Sequence, residues 1–562
     1  MWVSTLALGV CAFLFWWRCY PCILTYHEQY QLFLFDSDYF IDRITQPGGL
    51  ARYIGEFFVQ FYNHVMLGAF IVSLFYMVIQ RLVWMIISRH IDESQPYQPL
   101  LGYILSFIPP LILWLLMGDE SLMMTYVVSF TLALLAILSF PSNKKLRIVW
   151  VIIVLPLLYW LIGPMVMMVA VYALPLISIP YLIACVLAFS HVAAYPLSRL
   201  VQGIDYYRLI GLTPLWLVLL PMFTILIIVI LILANSLSKK GKKMNFYLWM
   251  GLAISVIYFY FLSPHTFQSR KYELIEYDYL VRIGNWDGII AKAEKKQPDL
   301  PMSVCATNLA LGMNGQLGER AFDFFQHGMD GLLPPLERNF SSTLITAEAY
   351  FHLGLVNTAQ RYAFEAMEAI PNNNKSARVV KRLVETNLIN GQYDVARKYI
   401  LILQKTAFYG KWASRLLPLL GNEKAIEAHP LYGYMRRVRL VDDFLFSEHE
   451  ADKICGQLFL RNKQNRLAMQ YLLLAPLLQR DMDKFMQYAE LVRSEVHYNP
   501  LAAQEALAFV FMRQNQRPPL GLVSPSVMER FQSFARDYST YGANPSALEH
   551  FHNTTWYYLC VK

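Results

Sequence analysis

Two hydrophobic patterns divide the chain. Up to about residue 263, apolar residues run together in long blocks; from 264 onward they recur every three or four positions among polar ones. Blocks of about 20 apolar residues can cross a hydrocarbon layer as helices, whereas recurrence near 3.6 marks helices with one buried face. The first pattern predicts spans at WVSTLALGVCAFLFWW and near 64–87, 100–117, 121–141, 147–163, 165–179, 180–197, 213–236 and 246–263, about nine in all. Pro156, Pro164, Pro175 and Pro180 leave open how 147–197 is divided. The first run ends in Trp16-Trp17-Arg18 with no basic residue before it, so it reads as a retained helix, not a cleaved leader.

The second pattern is repetitive. AEAYFHLGLVNTAQRYAFEAMEAIP (347–371) and VKRLVETNLINGQYDVARKYILIL (380–403) each place a glycine, Gly354 or Gly391, in a turn, and an alanine, Ala359 or Ala396, on the next helix. Ala359, Tyr362, Ala363, Ala366, Met367 and Ile370 form one apolar stripe. With weaker copies at 282–298 and 311–325, Gly284, Gly318, Gly354 and Gly391 are spaced by 34, 36 and 37 residues. This resembles the tetratricopeptide repeat, which implies stacked helix pairs and a concave face for a peptide or protein partner. The expected fold class is all-α. A polytopic transmembrane helical bundle occupies 1–263, with an acidic external loop at 18–63. A soluble helical-repeat domain follows at 264–410, with a degenerate continuation at 411–562.

Basic loops stay cytoplasmic. SNKKLR (142–147), SLSKKGKK (236–243), and Arg81 and Arg89 beside the second span therefore place the N-terminus inside. The acidic loop and everything after Ser263 then share the non-cytoplasmic face.

Composition narrows the function. The chain is 56% hydrophobic, above the roughly 45–50% of soluble proteins. Lys and Arg outnumber Asp and Glu by 14 to 10 before residue 264 and by 34 to 30 after it. Neither part is basic enough for nucleic acid. The seven cysteines are scattered, which argues against a disulfide framework, and Cys19 and Cys22 stand far from any βαβ pattern. No Walker loop, G-x-S-x-G, H-E-x-x-H or paired C-x-x-C occurs, so ATPase, serine hydrolase and zinc protease readings lack support.

Candidate chemistry concentrates in the acidic loop. In LFDSDYFIDRI (34–44), Asp36 or Ser37 can cap a short helix with Asp38 in its first turn, leaving Asp42 and Arg43 solvated. Downstream, 47–64 winds into an apolar stripe of Leu50, Ile54, Phe57, Phe58 and Phe61 opposite a polar one of Arg52, Glu56, Gln60 and Asn63. Such a helix either lies flat on the membrane or turns its polar stripe into the bundle. With Glu28 and His64, these groups fall within one external segment. Asp119-Glu120 read as solvated turn residues, and His191 and His265 as interfacial histidines.

An acidic pair in the first external loop, followed by an amphipathic helix, resembles the GT-C glycosyltransferases. The resemblance implies transfer from a polyprenyl-phosphate-linked sugar, with Asp36 or Asp38 as base or divalent-metal ligand and Asp42 and Glu56 in support. Arg52, Arg199 and Arg208 are then candidate contacts to the donor phosphate. Some eukaryotic O-mannosyltransferases of this class carry a tetratricopeptide tail on the same side. The chain also resembles a family of uncharacterised bacterial membrane proteins with helical-repeat tails, which implies an inner-membrane location with the C-terminal domain in the periplasm. Two readings follow: a transferase acting on a membrane lipid substrate, and a non-enzymatic scaffold whose repeats recruit an envelope protein.

Overall fold

The computed structural model describes residues 1–91, 98–193, 195–209, 214–238, 266–335, 340–372, 374–441 and 450–561. The expected span at 246–263, residues 239–243 of the second basic loop, and His265 lie outside them. The described residues are helical throughout, with one isolated bridge between Leu122 and Tyr207. The chain divides into two compact units. The first comprises Met1–Tyr272, Ile370–Ala377 and Ile402–Lys411; the second comprises Glu273–Ala369, Arg378–Leu401 and Trp412–Lys562.

In the first unit the helices are α1 (Trp2–Leu14), α2 (Pro21–Glu28), α3 (Ser37–Ile44), α4 (Gly49–Val59), α5 (Val65–Ser88), α6 (Gln98–Leu105) and α7 (Ile108–Leu116). They continue with α8 (Met124–Leu138), α9 (Lys144–Ile162), α10 (Val166–Tyr172), α11 (Pro175–Ser190), α12 (Leu197–Gln202) and α13 (Trp216–Ser238). Among the described residues, three helical runs are long and apolar enough to cross a membrane: Trp2–Cys19, Val65–Ser88 and Lys144–Tyr172. Gly102–Leu116, Met124–Leu138, Pro175–Ser190 and Trp216–Val229 are shorter apolar helices.

The proline-rich stretch breaks twice. Helix α9 ends at Gly163 (φ +73°), at the boundary expected between 147–163 and 165–179, and a single turn at Gly163–Met165 leads into α10. The next break comes at Leu174 (φ +53°), ahead of the boundary expected at 179–180. Pro156 and Pro180 lie inside helices, while Pro175 opens α11, where the missing N–H removes no helical hydrogen bond.

Two glycines position the polar residues of interest. A Cβ on Gly49 would stand 2.0 Å from the Arg43 carbonyl oxygen, so the tight packing of α4 on α3 requires glycine. A Cβ on Gly55 would stand 2.8 Å from the Thr125 amide nitrogen, which sets the approach of α4 to α8. Trp160 Nε1 on α9 donates to the Ile44 carbonyl at 2.9 Å and fixes the α3–α4 turn.

The second unit is built from short helices, from Leu317–Arg320 with 4 residues to Pro525–Tyr541 with 17. In Val356–Glu368 the buried residues include Ala359, Tyr362, Ala363 and Ala366, members of the expected stripe. Gly284, Gly354 and Gly391 have positive φ, as turn residues should. Gly318 does not: it lies in the short helix Leu317–Arg320, and the turn is made by Gly315 (φ +72°). The repeat spacing is therefore less even than Gly318 suggested. Inside, Arg378 pairs with Asp278 at 2.7 Å, and Arg382 pairs with Glu348 at 2.5 Å and Glu385 at 2.8 Å. Burial opposes the charge of Glu348, but Arg382 and Arg378 overcome it and hold the carboxyl at about 2.

Candidate functional site

Helix α4 turns its polar stripe inward. Arg52, Glu56 and Gln60 are buried, whereas Leu50, Ile54, Phe57, Phe58 and Phe61 remain half-buried. Of the two orientations open to an amphipathic helix here, the one facing the bundle interior is observed. Around this stripe the first unit assembles a closed charge network.

Glu56 is its centre, with 0% exposure. Its Oε2 accepts from Arg43 Nε at 2.9 Å and from the Tyr39 hydroxyl; its Oε1 accepts from Arg52 Nε at 3.0 Å. Arg43, expected to be solvated, is 6% exposed. The reason is helical register: α3 places Tyr39 and Arg43 one turn apart, so the guanidinium lies over the Tyr39 ring at 4.4 Å and reaches Glu56. Asp42, on the outer side, pairs with Arg43 at 2.7 Å and stays exposed.

Arg52 also pairs with Asp205, from the turn after α12. Burial works against the charge on Arg52, yet Asp205 and Glu56 outweigh it and raise its pKa further. The segment 370–377 closes the network. Arg52 Nη2 donates to Asn374 Oδ1 at 2.8 Å and to the Asn372 carbonyl at 3.1 Å, and Arg43 Nη2 reaches Asn374 Oδ1 at 3.3 Å. Asn372, in the left-handed region at φ +59°, donates to Asp205 Oδ1 at 2.6 Å and accepts from Arg199 Nη2 at 3.2 Å. Arg199 donates as well to the Ile204 carbonyl, and among the described residues no carboxylate pairs with it. Three buried guanidiniums thus surround two buried carboxylates.

Beside Arg52 lies a crevice of about 10 Å³, lined among others by Gln46, Thr125, Asp205 and Tyr206. Thr125 Oγ1 and Gln46 Oε1 have no protein partner there. The space suits one water, not a sugar ring.

The acidic pair lies apart from this network. Asp36 occupies the N-cap position of α3, but its side chain pairs with Lys405 at 2.7 Å instead of capping. Asp38 is exposed on the first turn. One lysine-paired carboxylate and one exposed carboxylate do not make a divalent-cation cage, and among the described residues no three His, Cys, Asp or Glu side chains gather as metal ligands.

Arg208 belongs to a second cluster. It lies over the Tyr30 ring at 4.3 Å, beside buried His27, Asp119 and Glu120. Asp119 and Glu120 are 8% and 9% exposed, so they are not solvated turn residues. Tyr207 donates to Asp119 Oδ2 at 2.9 Å, and Lys271 pairs with Glu120 at 3.0 Å; both partners arrive from distant chain. Burial and the neighbouring Glu120 push the Asp119 carboxyl up, whereas Lys271 overcomes burial and draws Glu120 down. Burial lowers His27 to about 4, which keeps it neutral. His191 is exposed.

The sequence reading located Arg52, Glu56 and Arg199, which converge here, and missed Arg43, Asp205, Asn372 and Asn374. The asparagines had a local signal in PNNNK (371–375), a run suited to left-handed backbone. No curated protein and no solved structure matches the chain. Its whole length, residues 1–562, matches the model of the family of unknown function DUF6057, and the chain belongs to that family.

Proposed function

We propose that this chain is a non-enzymatic membrane-anchored scaffold. In this reading about nine spans hold a tetratricopeptide-like domain on the non-cytoplasmic face of a bacterial inner membrane, where its repeats bind an envelope protein. One observation carries the reading: the supporting carboxylate Glu56 and two of the candidate phosphate contacts, Arg52 and Arg199, are engaged by one another, by Asp205 and by Asn372 and Asn374. Both oxygens of Glu56 already accept from two guanidiniums and a phenol, so this carboxylate turns no free oxygen toward a substrate. Segment 370–377 then acts as a strut, and the arginines as its socket.

The transferase reading keeps one specific support. The crevice at Arg52, Thr125 and Asp205 shares Pro164 and Tyr206 with a large apolar groove, the polar-to-apolar layout that a lipid-linked donor requires. The test is genetic and chemical together. Asp36→Asn with Asp38→Asn should leave growth complementation and partner crosslinking at wild-type level, while substitutions on the exposed repeat surface should abolish both. Loss of complementation in the aspartate pair, with expression and crosslinking intact, would favour the transferase.

A further inference from the structure

In the second unit a pocket of about 240 Å³ lies between the helices Met482–Glu495 and Leu501–Arg513. Leu473, Leu507, Phe511 and Leu522 give it an apolar wall. It exceeds a packing void but falls short of the roughly 300–1,000 Å³ of small-molecule sites, which makes it the size for a side chain or two.

A matching knob stands at its rim. Pro519 and Leu522 line the pocket, and the Leu522 N–H donates to the Pro519 carbonyl at 3.1 Å, closing a β-turn. Gly521 (φ +80°) takes the place in that turn that needs left-handed backbone, and Leu520, just before it, is fully exposed. The turn is tied down on the far side. Asn499 Nδ2 donates to the Leu522 carbonyl at 2.7 Å and the Ser524 N–H to Gln504 Oε1 at 3.0 Å. Pro518 and Pro519 stiffen the near side. Leu520 is thus held out in water by a fixed turn, so seating it against another surface costs little ordering.

Two charges complete the face. Glu490 and Arg493, one turn apart on Met482–Glu495, line the pocket and are exposed. Among the described residues neither pairs with the other or with a third charge, although on the same helix Lys484 pairs with Asp452 at 3.3 Å and Glu495 with Lys463 at 3.0 Å. A knob, a hole and two unpaired opposite charges side by side make this face complementary to itself. Under a two-fold axis running between knob and hole, each leucine meets the other copy's pocket and each glutamate the other copy's arginine. An unrelated ligand would fill the hole and leave Leu520 in water.

We infer that this face is a two-fold contact between copies of the chain, with Leu520 of each copy seated in the pocket of the other and Glu490 opposite the partner's Arg493. The inference stands on the second unit alone and holds whether or not the chain is a scaffold.

Energy transfer between donor- and acceptor-labelled copies of the full chain, reconstituted together in liposomes and read over a range of protein-to-lipid ratio, tests it. The wild type should associate as a dimer. Leu520→Asp, a change at a fully exposed position, should weaken association about tenfold or more, as loss of an interface anchor does. Glu490→Arg should weaken it too, by setting arginines against each other across the axis. Adding Arg493→Glu should restore it, because the swapped charges are again complementary between copies. A wild type that stays monomeric, a Leu520→Asp variant that associates as the wild type does, or a double charge swap that stays as weak as Glu490→Arg would each overturn the assignment. The last result, with Leu520 still required, would give the pocket to a different protein.

Discussion

Arg52 Nη2 donates to Asn374 Oδ1 at 2.8 Å across 322 positions of sequence. The bond joins an interior-facing polar stripe to a loop from the far half of the chain. It lies where charges are costly to bury and costly to leave unpaired. The consequences of that burial can be measured.

Glu56→Gln should destabilise the first unit by about 3–5 kcal/mol, the cost of removing one partner from a buried ion pair. Asp36→Asn should cost no more than about 1 kcal/mol, because its pair with Lys405 is partly solvated. Chemical unfolding in detergent, followed by tryptophan fluorescence, measures both. A ranking in the opposite order would place the energetic centre at the acidic pair.

Glu505 sets a pH dependence in the second unit. Burial raises its carboxyl to about 7, although Thr555 donates a backbone N–H to it at 2.7 Å. A folded-state pKa above the unfolded one means that its contribution is complete below the ordinary carboxylate range and is lost as pH rises through about 7. Glu505→Gln, which mimics the protonated acid, should therefore gain on the wild type by about 2–3 kcal/mol at pH 8. The two should converge near pH 4. Melting temperatures across that range check the sign.

Glu348 acts in the reverse direction. Its folded-state pKa lies below the ordinary value, so its stabilisation is complete above that value and disappears as pH falls toward about 2. Glu348→Gln should be the less stable protein at pH 7, with the deficit shrinking on acidification. A constant deficit would show that the arginines do not depend on this charge.

The turn glycines should rank by their surroundings. Gly354 has φ +100° with a Cβ position 3.0 Å from the Val438 carbonyl oxygen, whereas Gly284 has φ +66° and open space. Gly284→Ala should cost about 1–2 kcal/mol of backbone strain, and Gly354→Ala more, since backbone must also move. Equilibrium unfolding of the two variants compares them directly.

What was legible in the sequence was local. Helical periodicity separated the stripes of α4, and the stripe residues Arg52, Glu56 and Gln60 are the ones buried. The N-cap position of Asp36 was readable because capping depends on neighbours. What escaped depends on distant partners. Arg43 looked solvated beside Asp42, yet it is buried because α4 folds back over it at Gly49. The letters GDE at 118–120 look like a wet turn until Tyr207 and Lys271 reach them. Gly315 and Gly318 are three residues apart in a chain of similar turns, and only backbone dihedrals distinguish the turn residue from the helical one.

The socket for segment 370–377 is tested most directly by a double-mutant cycle on Arg52→Gln and Asn374→Ala, read as unfolding free energy of the full chain in detergent. A coupling energy of about 1–3 kcal/mol is expected, as for residues that share one buried network. Additivity within about 0.5 kcal/mol would mean that Arg52 does not hold this loop and that its guanidinium has another task.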